Sequence, residues 1–342
     1  MRDKLEKKQT KQQMSAEDVS IRKAKGLGRM VDWMYDFMDT KKGKIIVYGI
    51  LLIAWGCIPA WANSYVIEVL WNCMFYMLLA LGCNIIVGFC GLCDLGYAAR
   101  FAVGAYVTAI LVKTVGISFW LTIPASIGAS IIAACIIGAP ALRLRSDYLA
   151  IVTLGFGEIT RIVARNLTIT GKAQGIGSIP RPSLFGLELT KIWMWFYIFM
   201  ALVILFAWVS YNIKNSRFGR AMQFIREDED AAEAMGVDVV RYKLWAFIIG
   251  TIFGGVAGSF WVVKMTSITP NSFQFLQSAN ILLAVVLGGM GKIPGVMAGA
   301  AFFTIFPEVF RAIGEARMLI FGVLLIIVMI FRPQGLWPER RR

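Results

Sequence analysis

Between two long apolar runs the chain carries the charged stretch Glu227-Asp228-Glu229-Asp230-Ala231-Ala232-Glu233-Ala234-Met235-Gly236. Six basic and six acidic side chains fall between positions 214 and 243, and the flanking runs cover 192–212 and 244–263. Acidic residues suit the positive N-terminal end of a helix dipole, alanines favour helix, and a glycine is a natural helix stop. The stretch therefore predicts a short, exposed helix held between two membrane spans.

The composition of the chain indicates that the bilayer is its solvent. Of its 342 residues 58% are hydrophobic, and the mean hydropathy is +0.67. The net charge of +14 would also suit a nucleic-acid-binding protein. However, the basic residues cluster at the termini and in the connections between apolar runs, as expected for a membrane protein that follows the positive-inside rule.

Apolar runs long enough to cross a bilayer, about 20 residues each, are predicted at 45–62, 66–87, 97–115, 118–139, 148–165, 192–212, 244–263 and 318–331. A further block, 279–312, contains two apolar pieces separated by a glycine-rich break. It forms either two spans or a re-entrant hairpin of half-helices. The predicted fold is an all-α integral membrane protein, a polytopic bundle of about 8–10 transmembrane helices.

The distribution of Lys and Arg predicts the orientation of this bundle. We expect residues 1–43 to be a cytoplasmic N-terminal tail, 44–335 the transmembrane domain with a cytoplasmic loop at 214–243, and 336–342 a cytoplasmic C-terminal tail. The long loop 166–191 then falls outside, and its only cations are Lys172, Arg181 and Lys191. Both termini are predicted to be cytoplasmic, as the positive-inside rule requires.

No pattern in the sequence predicts catalysis or metal binding. The chain has no histidine, and Cys90 and Cys93 have C-x-x-C spacing without a second pair that would complete a zinc site. There is no phosphate-binding loop, so any ATP that drives this protein must bind another polypeptide. We expect no cofactor. A self-sufficient secondary transporter and a membrane-embedded enzyme remain as alternatives from the residues alone.

Ionisable residues within predicted spans are costly and are therefore candidates for function. Glu158 and Arg161 are three residues apart and can pair on one helix face, and Glu308 and Arg311 repeat that spacing. Such pairs either form salt bridges inside the bundle or line a solute path. The candidate residues of the path are Asp94, Arg100, Glu158 and Arg161.

Small residues recur in the run 244–263. Gly250, Gly254 and Gly258 give overlapping G-x-x-x-G patterns, which allow another helix to approach closely. The partner helix belongs either to this bundle or to a second membrane subunit.

Four segments together resemble a known family. They are Gly91-Leu92-Cys93-Asp94-Leu95-Gly96-Tyr97, Leu142-Arg143-Leu144-Arg145-Ser146-Asp147-Tyr148, Arg217-Phe218-Gly219-Arg220-Ala221 with its continuation to Gly236, and Val285-Val286-Leu287-Gly288-Gly289-Met290-Gly291-Lys292-Ile293-Pro294-Gly295. In this combination the chain resembles the M-type permease subunits of branched-chain amino acid ABC transporters. Permeases for urea and short amides share much of the pattern.

The resemblance implies a complete importer in a bacterial inner membrane. It implies a pore shared with a homologous H-type permease, two cytoplasmic ATP-binding subunits, and a periplasmic binding protein that delivers Leu, Ile or Val. The segment Asp230–Gly236 resembles the E-A-A-x-x-x-G loop of ABC importers, with Asp in place of Glu. The ATPase-coupling helix implied by this likeness comprises Glu229, Asp230, Ala231, Ala232, Glu233, Ala234, Met235 and Gly236.

Overall fold

The computed structural model describes residues 55–56, 58–141, 146–184 and 187–311, together with positions 314, 322–323, 326, 330 and 335. The chain divides into two compact units, Met1–Trp61 and Ala62–Arg342. In the first unit the described residues include a turn of 3-10 helix, Ile58–Ala60. The predicted spans 45–62 and 318–331 fall largely outside the described residues.

The described part of the second unit is built from helices. They are α1 Ser64–Asn84, α2 Tyr97–Ile110, α3 Phe119–Ala141, α4 Ser146–Asn166, α5 Ile192–Asn215, α6 Arg217–Glu227, α7 Glu229–Ala234, α8 Val239–Met265, α9 Phe275–Gly288 and α10 Ile293–Val309. Helices α1 and α2 continue as the π-helical segments Ile85–Phe89 and Leu111–Val115. A two-residue antiparallel ladder, β1 Ser183–Leu184 with β2 Leu187–Glu188, lies in the loop between α4 and α5.

In the described part of the chain, five helical segments are long and apolar enough to cross a membrane. They are Ser64–Phe89, Tyr97–Val115, Phe119–Gly138, Ile192–Asn215 and Val239–Met265. Helix α4 is also 21 residues long but carries more charge. These segments confirm the prediction of an all-α, polytopic membrane protein.

The block 279–312, which the sequence left open, is a pair of short packed helices, α9 and α10. At its tip the Gly291 amide donates to the Asn84 side chain, at the last residue of α1. At the other extreme the Glu308 carboxylate accepts from the Tyr65 hydroxyl, at the second residue of α1. Helix α10 therefore runs along the whole of α1. We call the two ends of the bundle the Gly88 end and the Tyr65 end.

Helix α8 packs against α1, α2 and α3 and forms the centre of the bundle. Its predicted small-residue face makes these contacts within this chain. A Cβ added at Gly258 would collide with the carbonyl oxygen of Phe101 on α2. The Tyr97 hydroxyl donates to the carbonyl of Gly250 over 2.9 Å. Gly254 lies between these two points and has looser neighbours.

Replacing Gly258 with alanine tests this close packing. The added methyl group has no space beside the Phe101 backbone, so Gly258→Ala should destabilise the purified protein by about 1–3 kcal/mol. Gly128→Ala on α3 is the matched control, because a Cβ there meets nothing within 4 Å. The measurement is thermal unfolding in detergent. Equal unfolding temperatures for the two variants would contradict the packing described here.

Candidate functional site

Interrupted helices converge at the Gly88 end of the bundle. Helix α1 loosens into the π-helical segment Ile85–Phe89, and the hairpin of α9 and α10 breaks at its tip. In the tip Gly289 has a φ of 100° and Gly291 a φ of 83°, a backbone conformation that side chains disfavour. Inside a membrane protein such irregular backbone must find hydrogen-bond partners in the protein or face water. π-Helical segments and half-helix ends often mark functional sites.

Three side chains supply these partners. The Asn84 side-chain oxygen accepts from the Gly291 amide over 2.8 Å. The Lys214 ammonium donates to the Gly291 carbonyl over 2.7 Å, and the Arg226 guanidinium donates to the Gly88 carbonyl over 2.5 Å. These five residues, which we call the junction, join α1 and the hairpin tip to α5 and α6.

The close approach within the junction depends on Gly88. A Cβ at that position would collide with the Asn84 side chain and would lie 2.5 Å from the Gly291 nitrogen. The tip of the hairpin therefore rests directly on the backbone of α1. The exposed Arg226 side chain covers the contact between Gly88 and Gly291, and its aliphatic part also lies against Gly91.

The charged segment folds into two short helices with local caps. The Ser216 hydroxyl accepts from the Gly219 amide at the start of α6, and the Asp228 carboxylate accepts from the Ala231 amide at the start of α7. Helix α7 ends before Gly236, whose φ of 82° turns the chain towards α8. The structure thus contains the short exposed helix that the sequence predicts.

Helix α7 is fixed on one side and open on the other. Ala232 is fully buried, and the Glu229 carboxylate accepts from the ammonium of Lys243, near the start of α8, over 2.5 Å. Met235 is 78% exposed. The other residues on the open side are Asp230, Glu233, Ala234 and Gly236, while Ala231 is half-buried. This pattern leaves α7 a surface that another protein can contact.

Asp94 and Arg100 form an ion pair that is buried in the centre of the bundle. The side chains are 0% and 3% exposed, and the Asp94 carboxylate also accepts from the Gly96 amide. The Arg100 guanidinium lies 3.7 Å from the centre of the Phe247 ring. Neither side chain borders open space in this conformation. The pair fixes the turn that precedes α2.

Glu158 and Arg161 occupy a more open position. They pair on α4 as their spacing predicts, with the Arg161 Nε donating to both carboxylate oxygens over 2.9 and 3.0 Å. The Glu158 side chain is 40% exposed and that of Arg161 18%. Because facing a charged pair to lipid is costly, this face of α4 favours water or another protein as its neighbour.

Further ion pairs lie at the Tyr65 end. The predicted pair of Glu308 and Arg311 is present, with a distance of 3.2 Å. A second pair, which was not predicted, joins Lys264 at the end of α8 to Glu68 on α1, with the ammonium donating to the carboxylate. The Lys264 ammonium also lies 3.7 Å from the centre of the Trp71 ring. This pair joins the ends of two central helices.

The described residues contain no group of three or more His, Cys, Asp or Glu side chains that could hold a metal ion. Cys90, of the C-x-x-C spacing, is buried. Burial raises the pKa of its thiol to about 12, so the thiol stays protonated at neutral pH and is a poor nucleophile.

The junction residues were missed as functional candidates in the sequence. Asn84 is one of the polar side chains in the predicted span 66–87, together with Glu68 and Asn72, and that signal could have drawn attention to it. Lys214 and Arg226 lie in a segment rich in charge, where nothing distinguishes them from exposed neighbours. Their partners are 77 and 138 residues away in the chain.

The buried pair of Asp94 and Arg100 leads to a stability prediction. Arg100→Met leaves a buried carboxylate without its partner and should cost about 3–5 kcal/mol, whereas Asp94→Asn combined with Arg100→Met should recover much of that loss. Arg161→Met breaks a more exposed pair and should cost less than about 1 kcal/mol. Thermal unfolding of the three purified variants measures these differences. An Arg100→Met protein as stable as the wild type would contradict the burial of a charged pair.

Comparison with known proteins identifies the family. The family model described as branched-chain amino acid transport system / permease component matches residues 65–329. The chain is 38% identical over 329 residues to the high-affinity branched-chain amino acid transport system permease protein LivM of Salmonella typhimurium (strain LT2), covering 89% of this chain and 77% of the relative. Identity and coverage are the same for LivM of Escherichia coli (strain K12).

A weaker similarity extends to a second kind of permease. The chain is 26% identical over 286 residues to the LivH permease protein of Salmonella typhimurium, covering 76% of this chain and 90% of the relative. No solved structure matches the chain significantly. Together with its membrane-spanning helices, these matches show that the chain is a multi-pass membrane protein that belongs to the family of branched-chain amino acid transport system permeases.

Proposed function

We propose that this chain is the M-type permease subunit of an ATP-binding cassette importer and forms half of a pore for Leu, Ile and Val. The observation that carries the proposal is the 38% identity over 89% of the chain to the two LivM permeases. The weaker match to LivH supports a homologous H-type permease as the other half. A periplasmic binding protein delivers the solute, and separate subunits hydrolyse ATP.

The proposed location is a bacterial inner membrane with both termini in the cytoplasm. The basic residues of the predicted tails 1–43 and 336–342 support this orientation. The transmembrane domain then extends over 44–335, and the Gly88 end of the bundle faces the cytoplasm. This places α6 and α7, within 214–243, where a cytoplasmic ATPase can reach them.

We assign ATPase docking to α7 and the turn after it, residues Glu229–Gly236. The support is the combination of an exposed side with firm attachment to the rest of the bundle. Glu229 connects α7 to Lys243 on α8, and Ala232 is buried on the side of α7 that faces the bundle. A partner that presses on Met235 therefore acts on the membrane helices through fixed contacts instead of deforming a loop.

We further propose that the open face of α4 lines the solute path where the two permeases meet. Glu158 and Arg161 carry charges of opposite sign. The ammonium and carboxylate groups of a zwitterionic amino acid are therefore both attracted weakly as the solute moves past this pair. Asp94 and Arg100 are buried and hold the centre of the bundle in shape. Selectivity then rests mainly with the binding protein, because a permease that bound the solute tightly would delay its release.

The proposed function is tested by reconstitution. Proteoliposomes that contain this chain with its co-purifying subunits, ATP and a branched-chain binding protein should accumulate radiolabelled leucine, and omission of this chain should abolish uptake. ATPase activity that responds only to a urea- or amide-binding protein, without leucine uptake, would move the solute to that class. Gradient-driven leucine uptake by this chain alone would indicate a secondary transporter and contradict the proposal.

The turn after α7 gives a variant that separates ATP hydrolysis from transport. Gly236→Leu forces a bulky residue into a left-handed conformation, at a cost of about 1–2 kcal/mol, and should displace the docking surface. We expect leucine uptake per ATP hydrolysed to fall roughly tenfold. Ala232→Asp places a carboxylate on the buried side of α7 and should also lower leucine uptake per ATP hydrolysed.

Gly236→Asn is the matched control, because asparagine tolerates the left-handed conformation better than other side chains. It should retain most of the coupling, and all three variants should insert at the wild-type level in membranes. Full transport by Gly236→Leu and Ala232→Asp would contradict the assignment of the docking site.

A further inference from the structure

We propose that Arg226 is the positioning residue that makes the hairpin of α9 and α10 follow the ATPase-docking helix during transport. The inference rests on the proposed function and identifies the hairpin as an element that moves during transport. Its structural basis is the junction, in which one cytoplasmic arginine reaches both interrupted membrane elements.

Arg226 is close to the docking helix in the chain. It lies in the last turn of α6, and the cap of α7 is Asp228, two residues later. A displacement of α7 therefore reaches Arg226 through a connection too short to absorb it. From there, the guanidinium hydrogen bond carries the displacement to the Gly88 carbonyl and to the adjoining tip at Gly291.

The hairpin is built to move as one body. A Cβ at Gly288 would collide with the backbone of Gly295, and a Cβ at Gly299 would collide with that of Ala284. The two helices are thus in direct backbone contact in the half of the hairpin nearest its tip. Force applied at the tip turns the whole hairpin instead of separating its arms.

The hairpin also reaches the opposite end of the bundle. Glu308, at the far end of α10, accepts a hydrogen bond from the Tyr65 hydroxyl. The Arg311 guanidinium donates to the oxygen of that Tyr65 hydroxyl over 3.0 Å. A movement at the cytoplasmic tip consequently changes contacts at the outer end. This geometry suits a pore that closes on one side as it opens on the other.

The alternative is that Arg226 acts only as a structural support for irregular backbone. The hydrogen bond to Gly88 would then stabilise the fold equally in every state of the transporter. The two roles differ in what their loss affects: a support changes the amount of folded protein, whereas a positioning residue changes the ratio of solute transported to ATP hydrolysed.

The test compares Arg226→Gln, Arg226→Lys and Arg181→Gln in the reconstituted complex. Arg181 is the matched control, because it also donates to a backbone carbonyl, that of Thr190 over 3.3 Å, but lies in the loop between α4 and α5. The measured quantities are ATPase activity stimulated by the binding protein, solute uptake, and the unfolding temperature. The solute is whichever one the wild-type complex transports.

We expect Arg226→Gln to keep stimulated ATPase activity within about twofold of wild type and to lose about tenfold in uptake, as the loss of a charge-assisted hydrogen bond predicts. Arg226→Lys should recover part of the uptake, because lysine retains the charge and can still donate a hydrogen bond to the Gly88 carbonyl. Arg181→Gln should behave as wild type.

Two results would overturn the inference while leaving the proposed function intact. One is normal uptake by Arg226→Gln. The other is a parallel loss of ATPase activity, uptake and thermal stability in both Arg226 variants, which is the result of a structural support. Failure of the wild-type complex to transport any solute would instead count against the proposed function.

Discussion

The architecture depends on one constraint, which is that backbone groups released by interrupted helices in a membrane protein must be paired within the protein. Here α1 and the α9–α10 hairpin are both interrupted, and the interruptions meet at Gly88 and Gly291. Asn84 pairs the released amide, and Lys214 and Arg226 pair the released carbonyls. A buried backbone group without such a partner would cost several kcal/mol in an apolar surrounding. The pairing therefore joins α6 and the end of α5 to α1 and to the tip of the hairpin.

The remaining contacts divide the bundle into a compact centre and an edge with fewer contacts inside this chain. In the centre α8 lies against α1 and α2 at glycine positions, and the buried pair of Asp94 and Arg100 holds the turn before α2. Close backbone packing and a dry ion pair both resist small displacements. At the edge the pair of Glu158 and Arg161 is partly exposed in the described part of the chain, and we propose that it faces water or the partner permease. This combination agrees with the proposed role of a permease that works beside a homologous partner.

Local sequence signals predicted the local structure well. The acidic residues before two alanines and a glycine gave a capped short helix at Glu229–Ala234, and the three-residue spacings gave the pairs at Glu158 and Glu308. Apolar length identified most of the spans. Each of these features depends on residues within about one helical turn of each other, so the sequence displays it directly.

Contacts between distant parts of the chain could not be predicted in the same way. Arg226 and Gly88 are 138 positions apart, and Lys264 and Glu68 are 196 apart, so their pairing follows from the helix arrangement alone. Hydropathy also could not resolve the block 279–312, because a re-entrant hairpin and two short spans have the same composition. Because α10 and the hairpin tip just before it contact both ends of α1, the structure favours two short spans over half-helices that turn back within the membrane. The docking and solute-path roles assigned to Glu229–Gly236 and to Glu158 and Arg161 remain predictions.

The most direct test of this account is electron cryo-microscopy of the assembled complex, without nucleotide and with trapped ATP. The account predicts that the hydrogen bonds from Arg226 to Gly88 and from Lys214 to Gly291 persist in both states, while α7 and the α9–α10 hairpin shift together relative to the partner permease. A structure in which α7 moves and the hairpin tip stays behind, with the bond from Arg226 to Gly88 broken, would contradict the account.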